Sequence, residues 1–223
     1  MKFLRLPPPL IAAFTSLFLV SCGSNPFTNP FTKPETQAAQ QATAGEPVNP
    51  HPVGSYEHFK FASYPGTTRT WKNEELLASA NPADTSVLVN LSTQRGFLFV
   101  GESLAMDYRV STGKTGHNTP TGDFRITEKI QDKRSNLYGK ILDANGNTIK
   151  GDADSRKDSP PPGGKFLGAS MPYWMRLTNS GIGMHQGIVS QRYASHGCIR
   201  THATAVPTVF EKTKIGTLVR ITE

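Results

Sequence analysis

Cysteine is scarce: Cys22 and Cys198 are the only two, and there is no C-x-x-C pair or resolving cysteine. That argues against a thiol-redox protein. Clustered positive charge is also missing. The chain carries 24 Lys+Arg against 17 Asp+Glu, a formal +7, yet it has no run of five basic residues and no nucleic-acid motif. Nucleic acid is therefore not the expected partner; an anionic membrane, an anionic wall polymer or simply a soluble basic surface remains. No apolar run is long enough to cross a bilayer as a stable helix, and the best of them, Leu10 to Val20, falls short. Apolar residues make up 36% of the 223, so one domain with a real core is expected, joined to chain that is not core.

Lys2 and Arg5 ahead of that apolar stretch read as a secretory signal over residues 1–21. The four residues Leu19-Val20-Ser21-Cys22 resemble the bacterial lipobox. The resemblance implies a diacylglycerol thioether on Cys22 and an extracytoplasmic, lipid-anchored protein. In a host with two membranes it would sit in the periplasm or, with Gly23 rather than Asp after the cysteine, at the outer membrane. The plainer alternative is an ordinary cleaved signal with a chance cysteine. Loss of residues 1–21 takes the formal charge from +7 to +5. A lipidated Cys22 would leave Cys198 as the one free thiol of an exported protein, and a thiol kept in an oxidising compartment calls for a chemical reason.

Residues 22–52 are Asn, Pro, Thr, Gln and Ala with almost no aliphatic side chains, and they read as a flexible tether. Fully extended, such a length reaches roughly 100 Å. Residues 53–84 bring aromatics (Tyr56, Phe59, Phe61, Tyr64, Trp71) and a short helical stretch that Asn73 could cap, and read as an N-terminal extension packed on the domain. Strand alternation then begins. Ser86–Leu91, Phe97–Val100 and Ala105–Val110 form a meander, and Asp123–Thr127 a fourth strand. Lys140 to Lys150 reads as a hairpin turning through a type I′ turn at Asn145-Gly146. Further strands are expected at Tyr173–Thr178, Ile182–His185 and Thr217–Thr222. Gly151 to Gly164 is a Pro/Gly-dense loop, either a substrate wall or plain surface. One helix is expected from Ala203 to Lys212, with Val206, Val209 and Phe210 on one face and Pro207 in its first turn. The fold class is mainly β, a sandwich or barrel-like sheet with one or two packed helices.

The chemistry gathers in Gly183-Met184-His185-Gln186-Gly187 and Ala194-Ser195-His196-Gly197-Cys198-Ile199-Arg200. A thiol attacks as its thiolate, and a nearby histidine can take the proton. Both His185 and His196 are candidates. Gly197 permits close backbone approach, so the amides of Gly197 and Cys198 could face a developing oxyanion. Other readings stay open at this point. One is a zinc site of His185, His196 and Cys198, although it lacks a fourth ligand at a recognisable spacing. Another is a buried structural cysteine beside surface histidines.

The run from His185-Gln186-Gly187 to Ser195-His196-Gly197-Cys198-Ile199-Arg200 resembles the signature of the L,D-transpeptidase (YkuD-like) catalytic domain. Ser111-Thr112-Gly113-Lys114 and Thr119-Pro120-Thr121-Gly122-Asp123-Phe124 resemble that family's S-T-G and T-P-T-G-x-F stretch, and the likeness covers roughly residues 85–223. It implies Cys198 as acylated nucleophile, His185 as its base and the carbonyl of Gln186 as the group that orients the base. His196, Arg200 and Ser195 would line the site and bind substrate, with Gly197 shaping the oxyanion hole. The spacer from His185 to Ser195 is shorter than in many members, which bears on lid geometry.

The reaction implied is acyl transfer on peptidoglycan stem tetrapeptides. D-Ala leaves, and a 3→3 cross-link or an attachment to another amine is made, with no metal or cofactor and with carbapenems as covalent inhibitors. An L,D-carboxypeptidase using water, and a non-catalytic wall-binding lipoprotein, are the alternatives.

Overall fold

The computed structural model describes residues 48–61, 63–190 and 192–223. The signal segment, Cys22 and nearly all of the tether lie outside the described residues. Residues 48–223 make one folded unit.

Alternating burial turns the predicted meander into sheet. β2 (Thr85–Asn90) buries every second residue and pairs antiparallel with β3 (Arg95–Val100), which pairs with β4 (Ser103–Ser111). Seven further strands complete the main run: β5 (Gly122–Arg125), β6 (Glu128–Leu142), β7 (Thr148–Asp154), β8 (Lys165–Arg176), β9 (Gly183–Gln186), β10 (Ile199–Thr201) and β11 (Leu218–Thr222). The order across the sheet is β5-β11-β2-β3-β4-β10-β9-β8-β6-β7, and β1 (Trp71–Lys72) pairs with β4 off that path. Two neighbours are parallel, β11 with β2 and β10 with β9. The second of these pairs carries the candidate chemistry.

Among the described residues α-helix is confined to α1 (Tyr56–Lys60), α2 (Glu74–Ser79) and α3 (Val206–Glu211), three short segments where one or two were expected, with one 3-10 turn at Pro82–Asp84. Asn73 caps α2 by accepting from the Leu76 amide. The expected helix from 203 to 212 shortens to Val206–Glu211 because residues 202–205 form a turn, with Pro207 in the first helical turn. Val206 and Val209 enter a core shared with Val87, Val89, Leu98, Met106, Met175, Met184, Ile199, Val219 and Ile221.

Three other expectations are corrected. The hairpin between β6 and β7 does not use a two-residue type I′ turn. Only Gly146 has positive φ, and the Asp143 carboxylate accepts from the amides of Asn145 and Asn147, which holds a longer loop. β7 runs through Asp154, so the Pro/Gly-dense loop begins at 155 rather than 151. The strand expected at 173–178 is the end of a longer one, Lys165–Arg176.

The pairing of β6 with β8 slips between Arg134 and Gly139. Residues 135–138 therefore leave the ladder with β8, as a bulge does, and Ser135 and Tyr138 border a cavity that also reaches β9 and β10.

Candidate active site

In the parallel register of β9 and β10, His185 lies beside Arg200 and Met184 beside Ile199. Side chains alternate, so Met184 and Ile199 turn to the core while His185 and Arg200 turn to the opposite face. Cys198 precedes Ile199 and shares that face, diagonal to His185. On β8, antiparallel to β9, Met175 pairs with Met184 and Arg176 with Gly183, which brings Trp174 and Arg176 to the same side. Four residues of these three strands, with Cys198 just ahead of β10, thus make one chemical surface against a core of Met and Ile.

Gly183 is required by that packing, since a Cβ there would come within 2.5 Å of the Met175 carbonyl and 2.7 Å of the Trp174 ring. The indole is pinned by a 2.7 Å bond from its Nε1 to Glu128 and lies 6.2 Å from the His185 ring. His185 is 7% exposed. Its Nδ1 is 2.7 Å from the carbonyl oxygen of Gln186, which can only accept, so Nδ1 carries the proton and Nε2 is the basic nitrogen. Burial pushes the imidazole down to about 4, helped by the Arg200 charge and opposed by the bond to Gln186. Burial likewise pushes the Cys198 thiol above its ordinary range, opposed by the Gly183 amide and the charges of Arg200 and Arg176. Its Sγ lies 3.7 Å from the Gly181 carbonyl. The resting pair is therefore a neutral thiol and a neutral imidazole.

The turn before Cys198 is held from three directions. Gly197 has φ +106°, a conformation that favours glycine. Ser195, 1% exposed, donates from its hydroxyl to the Cys198 carbonyl at 2.5 Å and accepts from the Gly197 amide at 3.1 Å. Thr119 donates to the Gly197 carbonyl at 2.8 Å and accepts from the Gly113 amide at 2.9 Å. One expectation is corrected here: the Gly197 amide is taken by Ser195 and does not face the cavity. The Cys198 amide remains. In a trans peptide N–H and C=O point oppositely, so a Gly197 carbonyl held by Thr119 aims the Cys198 N–H away from Thr119, and among the described residues that N–H has no backbone acceptor.

The S-T-G and T-P-T-G stretches buttress this turn. Thr112 accepts from the amides of Ala194 and Ser195, and the Lys114 amide donates to Ser195. Thr112 is in turn clasped by Gln94, whose side chain donates to its hydroxyl at 2.7 Å and accepts from its amide at 2.9 Å. A cavity of 420 Å³ lies against this buttress, lined by Thr112, Thr119, Tyr193 and Glu223 among others; neither Cys198 nor His185 borders it.

The cavity that does border them measures 320 Å³ and is lined by His185, Gln186, Cys198, Ser195, His196 and Arg200, with Ser135 and Tyr138 from the bulge and residues 169–171 of β8. His196 stands apart from the thiol–imidazole pair. Its ring stacks on Tyr138 at 4.2 Å and meets His117 edge-on at 4.7 Å, and burial with the charges of Lys114 and His117 pushes it down. Among the described residues no three His, Cys, Asp or Glu side chains converge as a metal site.

Sequence reasoning missed Tyr138, Trp174 and the hydroxyl of Thr119. The first two stand in stretches without a motif, and Thr119 was visible only as part of one.

The chain matches the family model described as L,D-transpeptidase catalytic domain over residues 84–221. YqjB of Bacillus subtilis (strain 168), an L,D-transpeptidase by assignment only, is 28% identical over 149 residues, 64% of this chain and 73% of its own. Two solved structures are similar. An L,D-transpeptidase from Mycobacterium smegmatis has 16% identity and a TM-score of 0.46 over 63% of this chain and 59% of that one. An L,D-transpeptidase in complex with imipenem has 18% identity and a TM-score of 0.46 over 62% and 59%. The chain spans about three fifths of the length of these solved proteins.

Proposed function

Because the chain belongs to the L,D-transpeptidase catalytic domain family by its match over residues 84–221, we propose that it transfers the acyl group of a peptidoglycan stem tetrapeptide through a thioester on Cys198. The observation that carries this is one cavity bordered by a half-buried thiol and by an imidazole whose Nδ1 is tied to Gln186, leaving Nε2 basic. Sγ of Cys198 attacks the carbonyl of the third stem residue while Nε2 of His185 takes the thiol proton. The Cys198 amide donates to the oxyanion. The tetrahedral intermediate collapses, the bond to D-Ala breaks, and His185 returns its proton to the departing amine. An acceptor amine then attacks the thioester, losing its proton to His185, and the thiol is restored. The acceptor is the diamino side chain of a second stem. Ser195 and Thr119 act by holding the Gly197–Cys198 peptide in place, and His196 and Arg200 line the substrate path.

The test is mass analysis of products from a disaccharide tetrapeptide, with Cys198→Ala beside the wild type. D-Ala release and a cross-linked dimer, both lost in the variant, are expected. Release with tripeptide alone would replace the amine acceptor by water, and no Cys198-dependent turnover would leave a wall-binding module. A carbapenem is expected to add its mass to the peptide containing Cys198.

The proposal extends to the N-terminus: Cys22 is lipidated, and the domain works outside the cytoplasm on a tether. Cys22→Ser should move the protein from the membrane fraction to the soluble one. An unchanged distribution between the fractions would sink the anchor.

A further inference from the structure

A second cavity, of 280 Å³, adjoins the first. The two share Tyr138, Ala169, Ser170, His196 and Arg200, so they form one groove in which the His196–Tyr138 stack stands as a partition. The charged residues that line the second cavity are Arg134, Lys140, Arg200 and a single carboxylate, Asp152.

Three cations of this half of the sheet already have a carboxylate. Arg176 is paired with Glu128, Arg156 with Asp154 and Lys150 with Asp158. Among the described residues none of the seven ion pairs uses Arg134, Lys140 or Arg200. Arg134 is oriented by a 2.9 Å bond from one guanidinium nitrogen to the Gly168 carbonyl, and Gly168 itself lines the cavity. The methylene stem of Arg200 packs against Gly187, where an added Cβ would come within 2.9 Å of it. Both arginines are thus fixed along part of their length without an anion at the charged end. Cations held in a half-enclosed groove select a negative group and disfavour a protonated amine.

Resting on the acyl-transfer reading of the adjoining site, we infer that the second cavity is a carboxylate subsite, which binds a free carboxylate of a peptidoglycan stem through Arg134, Lys140 and Arg200. It makes the enzyme selective for stems whose carboxyl groups are not amidated. Besides the carboxylate of the departing D-Ala, the stem has such groups on its second residue and on the side chain of its diamino acid, and these two are the ones amidation removes. The same chemistry can therefore come from either position, and the experiment separates them.

The full chain is assayed for D-Ala release on three tetrapeptides: the free acid, the amide at the second residue and the amide at the diamino acid. For the wild type, one of the amides is expected to raise KM roughly tenfold, with kcat within about twofold, as the loss of a charge-assisted bond would do. The double variant Arg134→Gln/Lys140→Gln is expected to raise KM for the acid to the value for that amide and to leave the amide unchanged. A merely structural effect would move all three peptides alike. Equal KM for acid and amides in the wild type, or an equal loss on all three in the variant, overturns the subsite.

Titration of the same peptides against Cys198→Ser separates the two ideas. Selective binding of the acid with no turnover by the wild type overturns the acyl-transfer reading and keeps the carboxylate subsite. Equal binding of acid and amides overturns the subsite whatever the turnover.

Discussion

His185→Gln is expected to lower kcat for D-Ala release about a thousandfold at pH 7, within the range that loss of a positioned general base produces. The deficit should shrink as the pH rises. At neutral pH burial holds the Cys198 thiol protonated and the His185 ring neutral, so the proton moves within the pair only as the sulfur attacks. Without the imidazole the thiol must ionise to bulk water, and its thiolate fraction grows about tenfold per pH unit below its own raised pKa. The wild type instead needs only a neutral His185, which it has above about pH 4. Its rate should be nearly flat from pH 5 to pH 7, while the variant climbs.

Rates for both proteins from pH 5 to pH 9 decide the matter. A variant within a factor of about ten at pH 7 would remove His185 as the base. A wild-type limb near the ordinary histidine value would mean that the ring titrates as if exposed. His196→Gln should act mainly on KM, because that ring is held by Tyr138 and His117. The depressed value also fixes the sign of a stability effect. Between 6.5 and about 4 the unfolded chain takes up a proton that the folded one refuses, so stability is full above that window and falls with pH through it.

Alternation made β2 and β11 legible, because each buries one face and writes that period into its side chains, whereas β3, β4 and β9 were legible as short apolar runs, β4 and β9 being buried on both faces. β6 was not legible over most of its length. From Glu128 to Lys140 no side chain is fully buried, so nothing selects an apolar alternation there, and its bulge has no residue signal beyond Gly139. The Asn-Gly pair marked the right hairpin and the wrong turn, since Asp143 organises five residues where local preference allowed two. At the site, residue types and spacing named Cys198 with His185 or His196, and the family resemblance chose His185 and added Gln186. They could not show that the Ser195 hydroxyl occupies the Gly197 amide, which depends on the shape of the turn, or that Thr119, distant in the chain, holds the Gly197 carbonyl. Charged residues default to the surface in any sequence reading, and this default hid the link between the N-terminal extension and the sheet.

That link supports the largest stability effect expected in the molecule. Asp107 on β4 and Arg95 on β3 are both 0% exposed. Arg95 donates from Nε to Oδ1 of Asp107 at 2.6 Å and from Nη1 to the Thr67 carbonyl at 2.7 Å, while Tyr56 of α1 donates to Oδ2 of Asp107 at 2.8 Å. The guanidinium also lies 5.4 Å from the ring centres of Phe59 and Tyr64. Extension and sheet are thus joined through one buried ion pair, whose desolvation is offset only while every partner is present.

Asp107→Ala leaves Arg95 charged in a dry site beside Arg109 and is expected to cost about 3–5 kcal/mol. Against a typical total of about 5–15 kcal/mol this is a large share, and it should lower the melting temperature by roughly 10 °C or more. The double change Arg95→Met/Asp107→Leu removes both charges and keeps the volume filled, so it should recover most of the loss. Calorimetry of the three proteins tests this. A single variant within about 1 kcal/mol of wild type would mean that water already reaches the pair. A double variant as unstable as the single would mean that the contacts to Tyr56 and Thr67, rather than the charge balance, hold the extension down, and amide exchange over residues 48–70 would then rise equally in both.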